Sequence, residues 1–296
     1  MHQALIRRAR RVAGAMALSA VTTLSVAALV GMSAPTRLDR GVAPPDSLPI
    51  DSVQPVLPEV FGRSGKLRAV QGRVDRLAAL PVLGAVFEGA DPGVGVHDPG
   101  FVTPDGEALY VLALIPFDTK RGASLNGYRV GFWPSEKGRR SSYDLPQGFI
   151  EVTRENAQTP VSAHFRLADF LTHDQANVWP KLLVVQPRLL DKLELVAAEL
   201  EQLGKPSALK VMSGFRTPQY NACRRCGRAR DSRHMYGDAA DVYVDGNDDG
   251  VMDDLNGDGK LTVEDARFLG RVAEKVEYDH PDLMGGIGIY RQTGAH

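Results

Sequence analysis

Ser232-Arg233-His234-Met235-Tyr236-Gly237-Asp238-Ala239-Ala240-Asp241 is the stretch whose reading decides both the fold and the chemistry. An imidazole leaves a loop, and a carboxylate follows seven residues later in an alternating run. Within residues 239–245, Asp241, Tyr243 and Asp245 share one face while Ala240, Val242 and Val244 share the other, which predicts a strand. Gly237 and the two alanines let the backbone turn tightly and bring that strand close to the loop. His234 and Asp241 are therefore candidates to converge on one zinc ion, which takes His nitrogen and Asp oxygen ligands. Spacing alone is a weak signal, because a lone His near an Asp is more often a hydrogen-bonded structural pair.

On the amino side of this stretch, Leu189, Leu190, Leu193, Val196, Leu200 and Leu203 follow helical spacing, and Gly204 supplies a stop. Residues 209–212 read as a short strand leading into Ser213-Gly214-Phe215-Arg216-Thr217-Pro218. On the carboxyl side, residues 263–276 are helical, with Phe268, Leu269, Val272 and Val276 as the apolar face, and 285–290 reads as a final strand. Helices and strands mix without regular βαβ alternation, which predicts an α+β domain over 161–296. Residues 61–160 read instead as short strands and turns: a strong strand at 108–115, an alternating one at 128–133, and an Asn126-Gly127 turn between them. Nothing there assembles a catalytic constellation, so this part is expected to be a small β-rich module, a spacer or wall-contacting unit.

The 296 residues are 43% hydrophobic and 24% charged, ordinary proportions for a globular protein, which excludes wholesale disorder. Two cysteines exclude a disulfide-dense miniprotein. The net charge of −1 argues against a nucleic-acid partner but hides an asymmetry. Residues 1–40 hold six arginines against Asp39, a net of +5, while 241–265 hold nine carboxylates against Lys260, a net of −8. The basic start followed by the apolar stretch 12–32 predicts an export segment. Its 21 residues suit a membrane anchor and Ser33-Ala34 suit cleavage, so both remain open. The rest of the chain is expected outside the cytoplasm, in the periplasm or cell envelope. Residues 41–60 are a Pro-rich linker.

The acidic patch has an internal repeat. Asp245-x-Asn247-x-Asp249-Gly250 recurs as Asp254-x-Asn256-x-Asp258-Gly259, and the second copy continues through Lys260 and Thr262 to Asp265. These are the ligand positions of an EF-hand-like loop, with a shorter Asp where Glu normally binds in bidentate fashion. Calcium is expected at this insertion, 245–265, in a structural role, with the first copy the weaker site. Cys223 and Cys226 form a Cys-x-x-Cys pair that is expected to close as a local disulfide in an oxidising compartment. Arg224, Arg225, Arg228, Arg230 and Arg233 form a basic lip before His234, either a solvated loop or an attractor of anionic wall polymer.

Three ordered motifs, Ser-Gly-Phe-Arg-Thr-Pro at 213–218 with Tyr220-Asn221, Ser-Arg-His-x-x-Gly-x-Ala-x-Asp at 232–241, and Gly-Gly-Ile-Gly-Ile-Tyr at 285–290, resemble the zinc D-alanyl-D-alanine carboxypeptidases and related peptidoglycan peptidases. The resemblance spans about 163–296, with His164-Phe165-Arg166-Leu167 and Asp169-Phe170 similar to the family's opening helix. It implies a small antiparallel sheet with flanking helices, His234 and Asp241 as zinc ligands, and Arg216 holding the substrate carboxylate or polarising the scissile carbonyl. It also implies a third histidine ligand soon after the Gly-Gly-x-Gly-x-Tyr motif, usually followed by Val-Asp. The sequence ends at His296, so either His296 is that ligand or related chains continue through a strand that this one lacks. The implied activity is zinc-dependent D,D-carboxypeptidase or endopeptidase cleavage of peptidoglycan stem peptides. The competing expectations are a non-catalytic wall-binding protein with an incomplete metal site and a calcium-dependent adhesion module.

Overall fold

In the computed structural model, residues 60–79, 83, 93–223 and 225–290 are described. The export segment, the linker up to 59, Arg224 and His296 lie outside them. Among the described residues no helix is long and apolar enough to cross a membrane.

The order is β1 (Ala69–Arg73), α1 (Val74–Ala78), β2 (Gly95–Val102), β3 (Ala108–Pro116), β4 (Ser124–Leu125), β5 (Tyr128–Arg129), β6 (Gly148–Val152), β7 (Lys181–Leu183), α2 (Pro187–Gln202), β8 (Leu209–Ser213), α3 (Pro218–Asn221), β9 (Asp241–Val244) and α4 (Val263–Asp279). Helices and small sheets are mixed, so the α+β class stands. The larger sheet runs β1-β3-β6-β7, with β2 on β3. It is mixed, since β1 lies parallel to β3 while the other pairs are antiparallel. β3 is central and buried over most of its length, which is what an almost unbroken apolar run requires.

Two expectations are corrected here. Residue 160 does not separate two cores. β6 and β7 lie on either side of it and pair through Ile150↔Leu183, and a single buried cluster extends from Leu67 through Trp133 and Phe149 to Val276. Closing that sheet requires a partner from beyond the expected boundary, a non-local demand that local patterning does not report. The final strand at 285–290 also does not form. Gly286 turns at φ +86°, the Gly285 and Gly286 N–H groups donate to the Glu277 carboxylate, and Ile289 and Tyr290 are exposed. With those donors committed to a side chain, none is left for a strand ladder at that point.

α2 begins with Pro187 in its first turn, where a missing N–H costs nothing, and buries Leu189, Leu190, Leu193, Val196, Ala197 and Leu200. Beyond its end the Gly204 N–H donates to Glu201, and Gly204 takes φ +66°, which favours glycine. α4 buries Ala266, Leu269, Val272 and Val276 and packs against α2. Each large aliphatic side chain fully buried here contributes about 1.5–3 kcal/mol, so these two faces hold the helices together. The Asn126-Gly127 turn forms as expected, with φ +49° and +82°, but the strand after it is only Tyr128–Arg129. Val130 and Trp133 continue fully buried, committed to the core and not to a ladder.

The acidic insertion is pinned by its own groups. Leu255 is fully buried, Met252 is buried, and the Asp253 N–H donates to the Val244 carbonyl at 2.8 Å. Asp265, 0% exposed, accepts N–H bonds from Leu255, Asn256 and Thr262 and forms a capping box with Thr262 at the start of α4. Asp254 accepts from Gly257, Asp258 and Gly259, and Asp245 from Asp249 and Gly250. Asn247 and Asn256 accept from Asp249 and Asp258. The Asp258 carboxylate accepts from Lys260, and the Asp249 carboxylate accepts from Val251. No three acidic, His or Cys side chains among the described residues gather to hold an ion, so the calcium expectation finds no support there.

Candidate functional site

β8 and β9 form a two-stranded antiparallel sheet in which Ser213 is opposite Asp241. The chain leaves β8 through Gly214, and a Cβ there would stand 2.6 Å from the Phe170 Cα, so the close approach admits only glycine. The Phe215 N–H donates to the Phe170 carbonyl, and the Arg216 N–H donates to the carbonyl of His234 at 3.1 Å. The first bond ties the Ser213–Arg216 turn to the 3-10 turn Leu167–Phe170, and the second ties it to a 3-10 turn spanning Arg233–Tyr236. That second turn ends at Gly237, with φ +67° and its carbonyl accepting from the Gln186 N–H; a Cβ at Gly237 would overlap the Val184 carbonyl. Gly214 thus seats one half of the site against Phe170, and Gly237 seats the other against Val184, just beyond β7.

His234 is 8% exposed, and its Nδ1 lies 2.7 Å from the Gly214 carbonyl oxygen. A carbonyl only accepts, so Nδ1 must carry the proton, and in the neutral ring the Nε2 lone pair is the free one. Nε2 faces Asp241 Oδ1 at 3.4 Å. A lone pair and an anionic oxygen facing each other repel unless a cation lies between them, either a proton on Nε2 or a metal. Two ligand atoms about 2.0–2.2 Å from a tetrahedral zinc ion stand about 3.3–3.5 Å apart, whereas a charge-assisted hydrogen bond draws N and O to about 2.7–2.9 Å. The separation of the pair is compatible with two ligands of one zinc ion, and the Gly214 carbonyl sets the tautomer that leaves Nε2 free to bind it.

The other Asp241 oxygen, Oδ2, accepts from an Arg216 guanidinium nitrogen, and Arg216 Nε donates to Ser213 Oγ at 2.8 Å. The structure thus brings Arg216, His234 and Asp241 together, as the sequence led us to expect, and adds Gly214 and Ser213 as groups that aim them. The quoted motif contained both added residues, but nothing in it showed that a carbonyl and a hydroxyl would act on the ring and the guanidinium. His234 and Asp241 are the two candidate ligands that come together; no third acidic, His or Cys side chain joins them among the described residues, and His296 lies outside.

A cavity of about 400 Å³ opens over this pair, lined by Tyr143, Arg233, His234 and Asp241 and floored by Leu193 and Leu269. Residues outside the Ser213–Asp241 segment brace it. The Trp133 indole N–H donates to the Met235 carbonyl at 3.0 Å, and the Gln219 N–H donates to the Val130 carbonyl. Tyr143 packs on Tyr236 at a 52° tilt with ring centroids 5.0 Å apart. Burial and a hydrogen bond to Asp231 push the Tyr236 phenol up to about 12, so it stays protonated and donates to Asp231 at 2.6 Å. None of these aromatic braces carried a sequence signal, since they become neighbours only through the fold. Cys223 and Cys226 are joined as a disulfide within the lip.

The domain is α+β, and its candidate site brings a histidine, a carboxylate and an arginine together. Residues 163–256 match the family model described as Peptidase M15. That span, about a third of the chain, takes in the first two motifs and is similar to a peptidase family that is generally zinc-dependent. No curated protein and no solved structure matches the chain.

Proposed function

We propose that the protein is an exported zinc peptidase that cleaves D-Ala-D-Ala or related bonds in peptidoglycan stem peptides. The facing of His234 Nε2 and Asp241 Oδ1 at 3.4 Å, with the tautomer set by Gly214, is the observation that carries this reading. His234 and Asp241 would hold the ion, which when bound lowers the pKa of a water toward about 7 and polarises a carbonyl. Arg216 is held by Ser213 and Asp241 at the edge of that position, so its planar fork offers donors to a substrate carboxylate or to developing oxyanion charge.

The test is hydrolysis of an acylated peptide ending in D-Ala-D-Ala by the full chain, with and without chelator. Chelator-sensitive release of D-alanine supports the reading; absence of hydrolysis with zinc supplied refutes it. In the same assay, Arg216→Ala is expected to lower kcat/KM by about 10²–10³, the usual cost of one preorganised donor.

A further inference from the structure

Two basic runs lie far apart in sequence and meet in space. Residues 137–144 carry Lys137, Arg139 and Arg140 against Asp144, and residues 225–233 carry Arg225, Arg228, Arg230 and Arg233 against Asp231. Asp231 clamps them together: its carboxylate accepts from Ser141 Oγ at 3.3 Å and from the Ser142 N–H at 3.0 Å, as well as from Tyr236. The combined edge holds seven cations against two carboxylates, a net of +5. Arg139, Arg140, Arg225 and Arg230 are exposed, and none forms an ion pair among the described residues. Tyr143 from the first run and Arg233 from the second both line the cavity over His234 and Asp241. The acidic insertion, residues 245–265 with a net of −7, begins at the other end of β9, beyond Val244.

We infer that this edge docks a polyanionic strand beside the cleft, and that the strand is peptidoglycan whose neighbouring stem peptides present free carboxylates. The inference rests on the proposed peptidase reading for the identity of the polymer. The choice of cation supports it: six of the seven are arginines, whose forks pair both oxygens of a carboxylate. Residues 137–144 lie outside the segment matched by the peptidase family, so this half of the edge belongs to what precedes it.

The experiment is co-sedimentation of the full chain with phosphate-stripped peptidoglycan sacculi, either untreated or with their carboxylates amidated, across a salt series. Arg139→Ala/Arg140→Ala/Arg230→Ala is compared with wild type, and its thermal unfolding is recorded to establish that it folds. Binding to untreated sacculi is expected to fall roughly tenfold in the triple variant at 50 mM NaCl, with little difference at 0.5 M salt, where the Debye length is only a few ångströms. Amidated sacculi are expected to bind wild type as weakly as untreated sacculi bind the variant. Equal binding by variant and wild type overturns the inference. So does undiminished binding to amidated sacculi, or retention of a single-stranded DNA oligonucleotide in preference to sacculi. Because binding is read without hydrolysis, a chain that docks but does not cleave would refute the peptidase reading and leave this one standing.

Discussion

Asp241→Ala is expected to abolish turnover, lowering kcat/KM by about 10³ or more, because it removes one of the two metal-facing groups among the described residues and several kcal/mol of metal-derived stabilisation with it. The same change leaves the Arg216 guanidinium without its carboxylate partner, so the donor drifts from its place as the ligand is lost. Asp241→Asn separates the two effects. An amide retains an acceptor for Arg216 but carries no negative charge for the ion, so zinc affinity falls while the arginine stays tethered. Metal analysis of wild type and both variants, with steady-state kinetics on one peptide, checks this. Full activity in Asp241→Ala would mean that the carboxylate serves only as a salt-bridge partner.

The second large effect lies outside the matched segment. Trp133 is 0% exposed, contacts Phe117 edge-on with centroids 5.2 Å apart, and lies 6.0 Å from Phe149. Its indole also holds the Met235 carbonyl in the turn that presents His234. Trp133→Ala opens a large cavity and is expected to cost about 3–5 kcal/mol by urea unfolding. Trp133→Phe keeps most of the apolar volume and loses the hydrogen bond, so it should cost less while loosening His234 and weakening zinc binding. If residues 61–160 were a detachable spacer, Trp133→Phe would leave zinc affinity untouched.

That contrast shows where the sequence was legible. β3, α2 and α4 were readable because each buries a face whose period repeats within a few residues, and the Asn126-Gly127 turn because its positive φ values demand those residue types. Arg216, His234 and Asp241 were readable because they sit in ordered motifs. The shared core across residue 160 was not, since Ile150 and Leu183 become partners only when the sheet closes. Nor was the meeting of residues 137–144 with 225–233, which depends on one carboxylate, Asp231, reaching Ser141 and Ser142 about ninety positions back in the chain. The acidic repeat has two readings for a related reason: alternating oxygens with glycine at the bend are also what a loop needs to satisfy its own N–H groups. Asp254 does so for Gly257, Asp258 and Gly259, and Gly259's N–H is the foremost influence holding its carboxyl below the ordinary range.

The most direct test is a zinc-edge anomalous difference map from crystals of the full chain grown with zinc. A single peak between His234 Nε2 and Asp241 Oδ1, about 2 Å from each, is the predicted result. A map without zinc there, with the imidazole and carboxylate closed onto each other in a direct hydrogen bond, would contradict the account.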